Sequence, residues 1–231
     1  MADLSRQLDI LPPSALVYPV HCIGLGGIGS NTLFYIRKMG FSQFVLWDDD
    51  SVESHNIPSQ HFFSSDLGRF KAEAIQEQLR KALDDDSLIA RRGKFAKHDD
   101  LAGIVIAGVD SMASRQEIWE SVQRSKNAVA LYIDGRIGVE WDEEEGKVTG
   151  EFIEVFTIVP GRVADIELYH EHLFTDEEAA PLRCTAQAVA YIGAFIAGFI
   201  AANVRKWVTH MPYHRYILYD CLTNQVLIAT N

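Results

Sequence analysis

The sequence predicts an α/β protein whose mostly parallel sheet is flanked by helices and continues into an antiparallel C-terminal part. Three observations predict it. In the first half, apolar runs of strand type alternate with helical periods, the rhythm of strand-helix-strand units joined in a parallel sheet. Beyond residue 140 that alternation gives way to a long strand-type run, an apolar helix and a terminal hairpin. Finally, 231 residues with 48% apolar and 23% charged side chains make a globular chain. At that length about 70% of the extended-chain surface can be hidden, which excludes a largely disordered or fibrous protein.

Each element has its own signal. VYPVHCIGL reads as the first strand, and GGIGSNTLFYIRKMG as the helix after it, closing near Gly40. QFVLWDDD is a second strand. A polar stretch rich in Ser, His and Asn leads to DLGRFKAEAIQEQLRKALDD, a helix for which Asp66 is the expected N-cap. LIARRGKF reads as a short strand, GIVIAGVD as a strand ending in Asp110, SRQEIWESVQRSK as a helix and ALYIDGRIGVE as a strand. WDEEEGKVTG is a charged hairpin tip and GEFIEVFTIVP a long strand, while residues 162–183 read as a polar, acidic connection. RYILYDCLTNQVLIAT closes the chain as a hairpin turning at Leu222 to Asn224.

Charge and cysteine content narrow the setting. The formal net charge is −11, from 32 acids against 21 bases, and no basic tract occurs, so nucleic acid and anionic membranes are not the expected partners. An acidic surface suits docking of a basic protein and also simply keeps a protein soluble. Cys22, Cys184 and Cys221 lie far apart and form no C-x-x-C pair, which argues for reduced thiols, no structural zinc and a cytoplasmic location. The first twenty residues lack the basic flank and apolar run of a signal peptide. Between Arg183 and Arg205 no residue is charged, but Ala, Gly, Thr185, Gln187 and Asn203 interrupt the run. A helix buried in the core or at a subunit interface is expected there, not a membrane span.

The strongest local signal is a glycine loop. Gly24, Gly26 and Gly29 form G-x-G-x-x-G directly after an apolar strand and at the start of a helix, the context of a Rossmann-like nucleotide fold. Backbone N–H groups at such a helix start face an anion. Asp48 ends the second strand, nineteen residues past Gly29, where a carboxylate accepts ribose hydroxyls. The loop alone serves NAD as well as ATP, and a strand-helix turn without a ligand is the bland alternative.

The neighbouring strings decide between them. GLGGIGSN, WDDDSVESHNIPSQHF, DLGRFKAEA and AGVDSMASRQEI follow one another in order. Together they resemble the ThiF/MoeB/ubiquitin-activating-enzyme superfamily, with its GxGGxGS loop, DxDxVxxxNxxRQ segment, D-x-G-x-x-K motif and Asp closing the fourth strand. The resemblance runs from about Arg6 to Lys206. It implies one adenylation domain over residues 1–231, with a nucleotide-binding half to residue 135, then a crossover loop, the apolar helix and the terminal hairpin. It also implies ATP and Mg²⁺ as cofactors. Gly26, Gly27 and Gly29 would cradle phosphates behind Gly24, Asp48 would hold the ribose with Asp50 close behind, Asn56 and Lys71 would reach the phosphates, and Asp110 would bind Mg²⁺. Lys71 as an exposed helix lysine, Asp110 as a helix N-cap and Asn56 as a turn residue are the structural alternatives.

The resemblance further implies a homodimer in which Arg6, in LSRQL, reaches the partner's site, and a substrate that is a small ubiquitin-like or sulfur-carrier protein ending in Gly. Conjugating or sulfur-transfer proteins would act in trans. Cys184, ahead of a helix, is the candidate thiol for a thioester or acyl-sulfur step, while Cys22 and Cys221 are expected to be packing residues. The zinc-binding CxxC pairs of the family are absent from the sequence, and His170 and His172 lie in a polar stretch without supporting ligands. Arg136 would meet a substrate carboxylate or pair with a neighbouring acid. One departure is plain: Ser59 stands where the family has Arg in NxxRQ, so either Arg69 or Arg115 compensates or the ATP site is altered. Two other readings stay open: a nucleotide-binding interaction protein with weakened or lost catalysis, and an NAD-dependent oxidoreductase.

Overall fold

The computed structural model describes residues 3–83, 88–175 and 189–230. The parallel part of the sheet is built from β1 (Val20–Ile23), β2 (Phe44–Asp48), β3 (Leu88–Arg92), β4 (Gly103–Ala107) and β5 (Val129–Asp142). Three antiparallel strands follow, β6 (Lys147–Ile158), β7 (Tyr216–Asp220) and β8 (Gln225–Thr230), giving one eight-stranded sheet in the order β3-β2-β1-β4-β5-β6-β7-β8. The helices are α1 (Gly29–Lys38), α2 (Lys71–Leu83), α3 (Met112–Arg124), α4 (Val163–His170) and α5 (Ala190–Val208).

Both faces of the sheet are covered, which is why the central strands read as continuous apolar runs. Alternate residues serve opposite cores. Val20, Cys22, Ile104, Ile106, Leu131 and Ile133 pack with α1, α2 and α5. Ile23, Val105, Ala107 and Tyr132 pack with Ile118, Trp119 and Val122 of α3 and Tyr169 of α4. The apolar helix α5 buries a stripe of Ile192, Ile196, Ile200 and Val204, a spacing that returns to one face each turn. Its one buried amide, Asn203, donates from Nδ2 to Thr157 Oγ1 at 2.9 Å and to the His214 carbonyl at 3.1 Å. No helix among the described residues is long and apolar enough to cross a membrane.

Two expectations need correction. Residues 162–183 are not merely a connection, because α4 forms at Val163–His170. Its stability is tertiary: Asp165 accepts the Val159 N–H at 2.9 Å, and the fully buried Tyr169 donates to Asp134 at 3.0 Å, neither of which leaves an amphipathic stripe in the sequence. Asp66 is not the N-cap of the second helix. It closes its own 3-10 turn by accepting the Phe63 N–H at 2.9 Å, Gly68 then takes φ +78°, and α2 begins at Lys71. The polar hairpin tip and the terminal hairpin form as expected, with Asn224 at φ +58° in the turn.

Candidate active site

Parallel register brings the site together. Trp47 pairs with Ile23, Ile23 with Ala107 and Ala107 with Asp134, so the residues just past this row leave the sheet side by side. β1 lies between β2 and β4, so the chain runs off to opposite sides at this point, the place where α/β sheets open a crevice.

The glycines of the loop do two different jobs. Gly24 has φ +85°, and a Cβ there would lie 2.7 Å from the Gly108 carbonyl oxygen. A Cβ on Gly29 would run into the Gly24 carbonyl and sit 3.1 Å from Cys22 Sγ. These two allow α1 to start against β1. Around Gly26 and Gly27 the nearest atoms to an added Cβ are the Gln60 side chain at 3.9 Å and the Ser59 carbonyl at 3.7 Å. That pair is not required by packing and instead leaves bare backbone for a ligand to approach.

Side chains pin this loop from three directions. The Leu25 N–H donates to Asp48 Oδ2 at 2.7 Å, and the Asp50 N–H to Asp48 Oδ1 at 2.9 Å. Burial raises the Asp48 pKa against these two amides and Lys71, which favour the charged form. Ser30 Oγ donates to the Gly26 carbonyl at 2.6 Å and accepts the His61 N–H at 2.9 Å. Asn31 Nδ2 donates to the Gly27 carbonyl at 2.7 Å and to the Ser59 carbonyl at 3.4 Å, and the start of α5 abuts it: a Cβ on Gly193 would lie 2.7 Å from that same nitrogen. Asn31 is not among the residues the sequence motifs single out, although its position four residues after Gly27 on a helix is the available signal.

Lys71 opens α2, is buried, and holds Asp50 Oδ2 at 2.7 Å. It is therefore not an exposed helix lysine. The carboxylates of Asp48, Asp49 and Asp50 lie within 4.8 Å of one another. Asn56 is buried and ends the 3-10 turn Ser54–Asn56. Its Oδ1 accepts the Glu53 N–H at 2.9 Å, so at least half of this amide serves the turn.

Asp110 lies past β4, exposed, and its carboxylate has no hydrogen-bond partner among the described residues. It does not cap α3: Ser111 does, accepting the Ser114 N–H at 3.2 Å. The two residues before it, Gly108 and Val109, pack against Gly24 of the loop, and an unpaired carboxylate there has the donor chemistry a hard divalent cation requires. Beneath it, fully buried Asp134 takes Arg115 Nε at 3.1 Å, Arg136 Nε at 2.8 Å and Tyr169 OH at 3.0 Å. Arg136 thus pairs with a neighbouring acid. The two arginines considered as replacements for the missing one at Ser59 are both engaged elsewhere: Arg115 as above, and Arg69 with Glu77 at 2.7 Å and Asp66 at 3.3 Å.

A family model described as the ThiF family matches residues 17–230. The chain belongs to the ThiF family. The relatives it matches include the sulfur carrier protein ThiS adenylyltransferase of Escherichia coli (strain K12), 35% identical over 50% of this chain and 46% of that protein. Another is ubiquitin-like modifier-activating enzyme 5 of Caenorhabditis elegans, 24% identical over 89% of this chain and 51% of that one. The chain thus spans about half the length of these curated relatives. Among solved structures it shares its fold with E. coli MccB crystallised with AMPCPP and MccA, at TM-score 0.69 and 18% identity, covering 94% of this chain and 65% of MccB. It shares it also with E. coli tRNA N6-threonylcarbamoyladenosine dehydratase TcdA, at TM-score 0.65 and 17% identity, over 90% and 96% of the two chains.

Arg6, the cysteines and the two histidines remain to be placed. Arg6 is exposed in a short 3-10 turn that is tied to the far end of α1, where Gln7 Nε2 donates to the Met39 carbonyl at 2.7 Å. A helix of that length spans about 15 Å, so within one chain Arg6 stands away from its own glycine loop. Cys184 lies outside the described residues. Cys22 and Cys221 are buried; burial pushes the Cys22 thiol far above its ordinary range and the Cys221 thiol up to about 11, as befits packing residues. His170 accepts the Trp119 indole N–H at 2.9 Å, and His172 Nδ1 contacts the Leu168 carbonyl at 2.9 Å.

Proposed function

We propose that this protein is an ATP-dependent adenylyltransferase that activates the C-terminal carboxylate of a small ubiquitin-like or sulfur-carrier protein. The observation that carries the reading is that bare loop backbone at Gly26 and Gly27, the ribose-type carboxylate Asp48 and the unpaired carboxylate Asp110 follow the C-terminal ends of the adjacent strands β1, β2 and β4, with the buried cation Lys71 held by Asp50 just past β2. Membership of the ThiF family and the adenylyltransferases among its relatives support it. In this reading residues 1–231 act as one adenylation domain in the cytoplasm.

The chemistry needs no general base, because the substrate carboxylate is already ionised. One of its oxygens attacks the α-phosphorus of ATP, the bond from that phosphorus to the bridging oxygen breaks, and pyrophosphate leaves with the electron pair. Asp48 orients the ribose, the amides at the start of α1 bind phosphate, and Lys71 leaves Asp50 to meet the charge that develops on the leaving group. Asp110 would hold Mg²⁺, which neutralises charge on the departing pyrophosphate when bound. Holding nucleotide and carboxylate in line supplies much of the rate.

Arg6 is exposed near the far end of α1 from its own glycine loop, a position compatible with a homodimer in which the arginine acts across the interface. Cys184 is proposed as the thiol that receives the acyl group, with a conjugating or sulfur-transfer protein in trans as the alternative acceptor. A second reading, nucleotide binding with lost turnover, is favoured by one observation: Ser59 replaces an arginine while Arg69 and Arg115 are both engaged. ATP–pyrophosphate exchange separates the two. Exchange that depends on a partner ending in Gly-Gly and disappears in Asp110→Ala supports the enzyme. ATP binding without exchange supports the second reading, and tight NAD binding in place of ATP overturns both.

A further inference from the structure

The turn that carries Asp110 is held from below by a single buried guanidinium. Arg115 is 5% exposed and bridges three segments: its Nε binds Asp134 of β5, and its Nη2 donates to the Val109 carbonyl at 2.5 Å and to the Gly135 carbonyl at 3.3 Å. The Val109 carbonyl belongs to the peptide unit that ends at the Asp110 Cα. Because that unit is planar, fixing its oxygen fixes the plane from which the Asp110 side chain departs. Ser111 caps α3 on one side of Asp110, and the Gly108 N–H donates to the Ile23 carbonyl at 2.9 Å on the other. The aspartate is therefore immobilised through its backbone while its carboxylate stays open.

The guanidinium is itself held in place. Asp134 is fully buried and shares its two oxygens between Arg115 and Arg136, with Tyr169 OH, in turn 2.9 Å from Tyr132 OH, completing the set. With one oxygen on Arg115 Nε and the other on Arg136 Nε and Tyr169 OH, this carboxylate is held in one orientation. We infer that Arg115 is a positioning residue for the divalent-cation site: acting through the Val109 carbonyl, and anchored by Asp134, it sets the Asp110 carboxylate for cation capture. This rests on the reading of Asp110 as the Mg²⁺ ligand. Arg115 is not a substitute phosphate ligand for the arginine missing at Ser59, since its fork is turned inward onto Asp134 and two carbonyls. A lysine keeps the charge but cannot hold the acid and the carbonyl in one planar fork.

The test is calorimetric ATP binding to the purified protein, in EDTA and across a Mg²⁺ series, for wild type, Asp110→Asn, Arg115→Lys and Arg136→Lys. Arg115→Lys is expected to need roughly 10- to 100-fold more Mg²⁺ to reach tight ATP binding, the usual effect of removing a residue that orients a metal ligand. Its ATP affinity in EDTA is expected to stay within about twofold of wild type. Arg136→Lys, which touches the same acid but not Val109, is expected to keep the wild-type Mg²⁺ dependence. Arg115→Lys with wild-type Mg²⁺ dependence, while Asp110→Asn loses it, overturns the positioning role and leaves the site reading intact. An equal loss of ATP affinity with and without Mg²⁺ in Arg115→Lys also overturns it. Asp110→Asn with wild-type Mg²⁺ dependence overturns the site reading itself. If Arg115→Lys does not fold, Asp134→Asn, which keeps the shape but removes the charge that anchors the fork, carries the same comparison.

Discussion

The Lys71 ammonium lies 2.7 Å from the Asp50 carboxylate, and the two partners differ sharply in exposure, 7% for the lysine side chain against 67% for the aspartate. The lysine is inside the crevice and its counter-ion is at the rim. A nucleotide phosphate arriving from solvent competes with an exposed, screened carboxylate for a desolvated ammonium, a competition that favours the phosphate. Lys71→Ala is expected to weaken ATP binding by about 1.5–3 kcal/mol, roughly 10- to 150-fold in Kd. Asp50→Asn is expected to leave Kd equal or lower. Fluorescence or calorimetric titration reads both, and an Asp50→Asn loss as large as that of Lys71→Ala would mean that Asp50 itself contacts the ligand.

The two kinds of glycine in the loop separate stability from binding. Gly29→Ala drives a methyl into the Gly24 carbonyl and is expected to cost roughly 2–4 kcal/mol in denaturant unfolding. Gly26→Ala has 3.9 Å of clearance and is expected to stay within about 0.5 kcal/mol of wild type while losing ATP affinity, because the methyl occupies the backbone approach.

Ser59 is half-buried beside Gly27, with its carbonyl held by Asn31. Ser59→Arg is expected to add a charge-assisted phosphate contact and tighten ATP binding by about 2 kcal/mol, roughly 30-fold. No gain in affinity would mean that this chain binds the phosphates by a route that does not use the position.

His21 sits in β1, 7% exposed, with no partner for Nδ1 among the described residues; burial lowers its pKa to about 4, and the nearby Arg91 charge adds to that. The unfolded chain takes up a proton near the ordinary value of 6.5 and the folded one does not until about 4. Stability contributed by neutral His21 is therefore complete above pH 6.5 and is lost as pH falls toward 4, by about 3 kcal/mol at most. His21→Leu cannot titrate and is expected to flatten the unfolding free energy between pH 6.5 and 4.5 by about 2–3 kcal/mol. An unchanged pH profile would contradict the assignment.

The strand-turn-helix setting of the glycine loop, and the places of Asp48 at the end of β2, Lys71 at the start of α2 and Asp110 past β4, were legible because each lies in a short string whose neighbours specify its backbone context. The parallel sheet was legible because its strands are buried on both faces. What stayed hidden is held by contacts between distant positions. Helix α4 depends on Tyr169 reaching Asp134, thirty-five residues away, and the inward role of Arg115 depends on a carbonyl that no side-chain pattern reports. Asp66 misled because capping residues also close turns, and here Gly68 ended the turn before α2 could begin. Asn31 stayed unread because its partners, the Gly27 and Ser59 carbonyls, meet only after the loop between β2 and α2 folds back over the glycine loop.

Adenylation is tested most directly by the intact mass of a small protein ending in Gly-Gly, one that binds this chain, after incubation with it, Mg²⁺ and ATP. An AMP adduct on the C-terminal carboxylate is expected, reversed by pyrophosphate and absent with Lys71→Ala or Asp110→Ala. A partner that binds together with ATP and remains unmodified would contradict it.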